Sequence, residues 1–119
     1  MAVDAEYREF LEARMGPLVP LRIKSMFGGF GLYSGDHFFA VADERRLYFK
    51  VGDLNMADYD AHDCEWFIYA PSAAPMRYRE VPQAVWDDDA ELVVWIEKAV
   101  AVAEQSKRPR RTRPKDSGR

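Results

Sequence analysis

Apolar residues recur along this chain with two different periods, and the change of period divides it into elements. Residues 4–14 carry Tyr7, Phe10 and Leu11 at helical spacing, with Glu6, Glu9 and Glu12 on the other faces. That spacing predicts an amphipathic helix, with Asp4 as its cap, the stem of Arg14 on its apolar side, and Gly16-Pro17 as its stop. From Ile23 onward the pattern shortens to strand length: 23–27, 30–33, 37–42 and 46–51 are short runs rich in aromatic and β-branched residues. Ser34-Gly35-Asp36 and Asp43-Glu44-Arg45 separate the last three with hairpin-turn chemistry. An antiparallel meander follows from that spacing.

A short helix is expected over 53–61, capped by Asp53, with Met56 and Tyr59 turned inward. Strands are expected over 66–70 and 76–81, the second ending at Pro82. The final periodic segment is the longest. Asp87-Asp88-Asp89 places negative charge at the positive end of a helix dipole. Leu92, Trp95, Ile96, Ala99, Val100 and Ala103 then form an i, i+3, i+4 stripe. The fold class is therefore α+β: an antiparallel sheet with N-terminal and C-terminal helices packed on one face and a short helix inserted between strands.

The chain has 119 residues, the length of one domain. Residues 1–106 are expected to form it, with 107–119 a disordered extension. The extension contains no apolar run and holds seven basic residues against one acid, a net of +6. The first 106 residues carry ten basic and nineteen acidic residues, a net of −9. No run of apolar residues approaches a membrane span, and the N-terminus lacks the apolar centre of a signal peptide. A single cysteine, Cys64, precludes an intrachain disulfide and fits a reducing compartment. The expected location is the cytoplasm.

No catalytic, metal-binding or cofactor-binding set emerges from these residues. Phe27-Gly28-Gly29-Phe30-Gly31 resembles a phosphate loop, but strand-forming residues follow it and no Gly-Lys-Ser/Thr is present. The glycines read instead as a bulge, a sharp bend or a close backbone approach. Asp60, His62, Asp63 and Cys64 fall short of the four nitrogen and sulfur ligands of a structural zinc site. Ser25, Ser34 and Cys64 lack a local nucleophile motif.

Binding surfaces are better represented. Phe30, Tyr33, Phe38, Phe39, Tyr48, Phe49, Trp66, Phe67, Tyr69 and Tyr78 exceed what one sheet face can hide. Alternation sends part of them to the face opposite the helices. There they either close a second layer or form a patch for a protein partner or a homodimer. Phe27, Gly28, Gly29 and Phe30 are the expected centre of that interaction surface. Lys107, Arg108, Arg110, Arg111, Arg113 and Lys115 are an alternative contact, a nonspecific grip on nucleic-acid phosphates.

The ordered series of motifs resembles the N-terminal domain of the TfoX/Sxy family of bacterial competence regulators. It runs through Ser25-Met26-Phe27-Gly28-Gly29-Phe30-Gly31-Leu32-Tyr33, Phe38-Phe39-Ala40-Val41-Ala42 and Leu47-Tyr48-Phe49-Lys50-Val51. Phe67-Ile68-Tyr69, Met76-Arg77-Tyr78-Arg79-Glu80-Val81-Pro82 and the helix over 89–103 complete it, so that about 5–105 is covered. The resemblance implies an α+β domain and a non-enzymatic role in regulating DNA uptake. It also implies a partner in the transcription machinery, the cyclic AMP receptor protein. Full-length members carry a second domain where this chain has its basic extension, and the family offers no catalytic residues to carry over.

Overall fold

The computed structural model of the protein describes residues 5–26, 29–68 and 77–107. Five antiparallel strands lie in chain order: β1 (Arg22–Met26), β2 (Gly29–Ser34), β3 (His37–Asp43), β4 (Arg46–Lys50) and β5 (Tyr78–Glu80). Helix α1 (Ala5–Met15) precedes the sheet, α2 (Met56–Ala61) lies between β4 and β5, and α3 (Gln83–Trp86) and α4 (Asp89–Lys107) end the fold. The α+β meander read from the sequence is the observed architecture.

One sheet face is covered by α1 and α4. Tyr7, Leu11 and Met15 of α1 and Leu92, Trp95, Ile96 and Ala99 of α4 pack with Phe30, Leu32, Phe39, Leu47 and Phe49 in the main core. The register of β2 on β3 shifts between Leu32 and Tyr33, which pair with Ala40 and Phe38. Phe39 is the extra residue. The bulge places both Phe39 and Ala40 in the helix-side core and breaks the simple alternation.

Two hairpins set the meander. Gly35 takes a left-handed φ of 60° at the first loop position of the β2–β3 turn, where glycine costs no steric strain. In the β3–β4 turn Glu44 and Arg45 both have positive φ, 53° and 62°, the backbone of a tight hairpin usually filled by Asn-Gly. Gly29 answers a different need: a Cβ there would sit 2.2 Å from the Ala42 carbonyl oxygen. This is the close backbone approach expected of that glycine run.

Several local expectations are corrected. Phe10, placed on the apolar side by its spacing, is 52% exposed, and Met15 is buried with Tyr7 and Leu11 instead. The inserted helix starts at Met56, not Asp53, because buried Asn55 ties the preceding turn: Gly52 N–H donates to its Oδ1 (2.9 Å) and its Nδ2 donates to the Lys50 carbonyl (3.0 Å). Within 66–68 the expected strand reduces to an isolated bridge from Trp66 to Arg79; positions 69 and 70 lie outside the described residues. The strand expected over 76–81 spans Tyr78–Glu80 among the described residues. Helix α3 was not anticipated. The start of α4 is as expected of an acidic cap: Asp88 Oδ1 accepts from Glu91 N–H at 3.1 Å. Its buried stripe includes Val102, while Val100 is partly buried.

Candidate protein-interaction cleft

Helix α1 leaves one aromatic ring outside the core, and that ring borders a cleft. Phe10 lies between Tyr7, with centroids 6.0 Å apart, and Trp86 of α3, at 5.6 Å. With Arg45, Arg46, Leu47, Glu80, Val81 and Gln83 these rings line an open cavity of about 270 Å³. It lies where α1, the β3–β4 turn, β5 and α3 meet. Ligand pockets span roughly 300–1,000 Å³, and this cavity lies at the lower edge of that range.

Fixed polar contacts hold the walls. Arg14 donates through Nε (3.1 Å) and Nη2 (2.6 Å) to the Trp86 carbonyl, and its Nη1 bonds Asp89 Oδ1 at 2.6 Å. One α1 side chain thereby ties α1 to the end of α3 and the start of α4. Arg46 donates to both Glu80 oxygens, at 3.0 and 2.6 Å, a fork geometry. The hydrogen bond to Glu80, with the nearby Tyr48 and Glu80 charges, holds the Arg46 guanidinium above its ordinary basicity. Arg45 stands over the Tyr7 ring at 5.8 Å and pairs with Glu6 at 3.4 Å. Aromatic rings and arginines, both prominent here, are the residue types enriched at protein-recognition patches.

The expected site residues fall elsewhere. Phe27 and Gly28 lie outside the described residues. Gly29 is buried, and Phe30 is 2% exposed within the main core. These two therefore offer no side chain to a partner, which corrects their assignment to the surface: strand alternation sends Phe30 to the helix side, where it fills the core. Lys107 ends α4, while Arg108, Arg110, Arg111, Arg113 and Lys115 lie outside the described residues. Phe10 and Trp86 were missed as surface residues. Helical spacing gave Phe10 to the core, and Pro82 with the acidic run after Trp86 masked α3.

The Asp60–Cys64 segment has a structural use. Arg79, 5% exposed, donates to the Cys64 carbonyl through Nη2 at 2.9 Å and to Asp60, and its guanidinium lies 4.5 Å from the Trp66 ring centre. These contacts join α2 to the segment beside β5. His62 is edge-on to Trp95 at 5.6 Å, and burial pushes the Cys64 thiol up from its ordinary value. Among the described residues no three His, Cys, Asp or Glu side chains converge as metal ligands. No described helix is long and apolar enough to cross a membrane.

A five-stranded antiparallel meander with both long helices on one face defines the class as a small α+β domain. Within that class the chain belongs to the TfoX N-terminal domain family, whose model matches residues 13–103. That match covers β1 through β5 and most of α4, and marks the protein as a competence-related domain. No curated protein matches the chain.

Proposed function

We propose that this protein is a non-enzymatic regulatory module of the competence system that docks a protein of the transcription machinery in the Phe10–Trp86 cleft. The exposure of Phe10 carries this reading: a phenyl ring half open to water between two other rings costs hydration free energy that a partner's apolar side chain would recover. The paired arginines and carboxylates around it supply a polar rim that excludes water from such an anchor. Family resemblance directs the choice of first partner to the cyclic AMP receptor protein.

Calorimetric titration of the full chain into that receptor, with Phe10→Glu as the variant, tests the reading. Phe10 is exposed, so the variant keeps its melting temperature while its affinity falls by roughly tenfold or more. Equal affinity for variant and wild type excludes the cleft. No heat from the wild-type chain excludes this receptor as the partner.

A further inference from the structure

The sheet face opposite the helices carries a row of rings with cations at its β1 end and on β4, one strand inside the Tyr78 edge. Arg22 of β1 pairs across from Tyr33 of β2, which pairs across from Phe38 of β3; Lys50 of β4 pairs with Tyr78 of β5. The side chains follow the same line. The Arg22 guanidinium stands 4.8 Å from the Tyr33 ring centre, Tyr33 stacks on Phe38 at 5.0 Å, Phe38 meets Tyr78 at 5.9 Å, and Lys50 Nζ lies 5.0 Å from the Tyr78 ring centre. Lys24 adds a second ammonium over Tyr33 at 5.6 Å. At strand spacing of about 4.8 Å the row runs roughly 19 Å, perpendicular to the strands.

Charge on this row is unbalanced. Ion pairs among the described residues engage Arg8, Arg14, Arg45, Arg46, Arg79 and Lys98. Arg22, Lys24, Lys50 and Arg77 stand outside those pairs. Burial, and then the neighbouring Arg77 charge, lower the Lys50 ammonium below its ordinary value. The nearest acid along the chain from Tyr33 is Asp36, at the exposed hairpin tip. Three cations outside those ion pairs, Arg22, Lys24 and Lys50, thus gather on one face of a domain whose first 106 residues carry a net charge of −9.

We infer that this face binds single-stranded nucleic acid across the strands, through Arg22, Lys24, Tyr33, Phe38 and Lys50. Cations spaced along the row, Arg22 and Lys24 on β1 and Lys50 on β4, match a chain of phosphates. The Arg22–Tyr33–Phe38 stack ends in an exposed guanidinium plane, on which an unpaired base can lie, as it can on an aromatic ring. An acidic peptide would use the cations but has no need of the ring stack, and duplex DNA hides its base faces.

Fluorescence anisotropy with a labelled oligothymidylate tests this on the full chain at low salt. Arg22→Glu/Lys24→Glu should weaken binding by about tenfold or more. Tyr33→Leu changes no charge and leaves the basic C-terminal residues as they are, so it separates the face from them; it should cost about fivefold or more. Thermal melts check that both variants fold. The inference fails if the oligonucleotide does not bind, or if Tyr33→Leu and the double variant bind it as wild type does. It also fails if polyglutamate or a duplex competes as well as unlabelled oligothymidylate, which would mark the face as an acidic-protein or duplex site. The Phe10→Glu variant binds oligothymidylate normally, keeping this test separate from that of the cleft.

Discussion

The two faces of the sheet use aromatic residues in opposite ways. On the helix side Phe30, Phe39 and Phe49 are sealed with Leu32, Leu92 and Ile96, and ring packing there is part of a continuous apolar core. On the other side Val41, Tyr48, Phe67 and Tyr78 form a separate, smaller cluster with Phe38 packed against it. Half of its rings are tyrosines, Tyr33 stacks on Phe38 beside it, and Arg22, Lys24, Arg46 and Lys50 stand over Tyr33, Tyr48 and Tyr78. The first face lowers the free energy of the fold by removing apolar area from water. The second retains polar atoms and charges at its margin, so it can exchange one set of contacts for another. Stability and recognition are divided between the two sides of one sheet.

Truncation should separate the faces most sharply. Leu92→Ala, at a fully buried helix-side position, should cost about 3–5 kcal/mol in urea denaturation. Tyr33→Leu, at a half-buried position on the other face, should cost under about 1.5 kcal/mol. Equal losses would show that the second cluster is as much a part of the cooperative core as the first.

Gly29→Ala comes next, at about 2–3 kcal/mol. Its Cβ would meet backbone, the Ala42 carbonyl, and not a movable side chain. The cost therefore falls on the β2–β3 pairing that both faces share. At Gly31 the space is filled by the Met26 and Phe38 side chains, so Gly31→Ala should be milder and should disturb mainly the cationic face. Matching losses at the two glycines would contradict that distinction.

The tyrosines give a pH test. Burial pushes the Tyr78 phenol up to about 12, and burial likewise raises Tyr48 on the same face and Tyr59 beneath α4. An unfolded tyrosine ionises near pH 10. From about pH 10 to 12 the folded chain holds protons that the unfolded chain has lost, so stability is full below pH 10 and falls through that window. Ultraviolet titration should find Tyr48, Tyr59 and Tyr78 resisting ionisation near pH 10, with the urea midpoint falling as pH rises. Ordinary ionisation of Tyr48 and Tyr78 would mean that the second cluster opens to water.

The smallest effect lies in the β3–β4 turn, which belongs to neither face. Glu44 has a left-handed φ of 53°, a conformation asparagine adopts more readily. Glu44→Asn should stabilise by about 0.5–1 kcal/mol, read as a rise in melting temperature. A fall would mean that the Glu44 side chain makes a stabilising contact.

Much of this was legible in the chain. The stripe from Leu92 to Ala103 fixes α4 because only a helix brings those residues to one side. The hairpin residues 34–36 and 43–45 fix the meander because two-residue turns leave adjacent strands little choice but antiparallel pairing. The candidate cleft was not legible. Phe10 has the spacing of a core residue, and its exposure follows from Met15 and Leu11 filling the groove that α1 offers the sheet. Phe30 is the converse: it sat in the expected surface motif, and alternation carried it inside.

What the sequence determined by itself was therefore local: the order of the first four strands and the two long helices, the α+β class and the family, each written in periods and turns only a few residues long. What the tertiary structure decided was which apolar residues, Phe10 among them, stay in water and which cations stand outside the ion pairs of the described residues. Those outcomes depend on residues such as Phe10 and Trp86, or Arg22 and Tyr33, meeting across distant parts of the chain. No local period encodes such meetings, because they are set by how the helices and strands share one sheet.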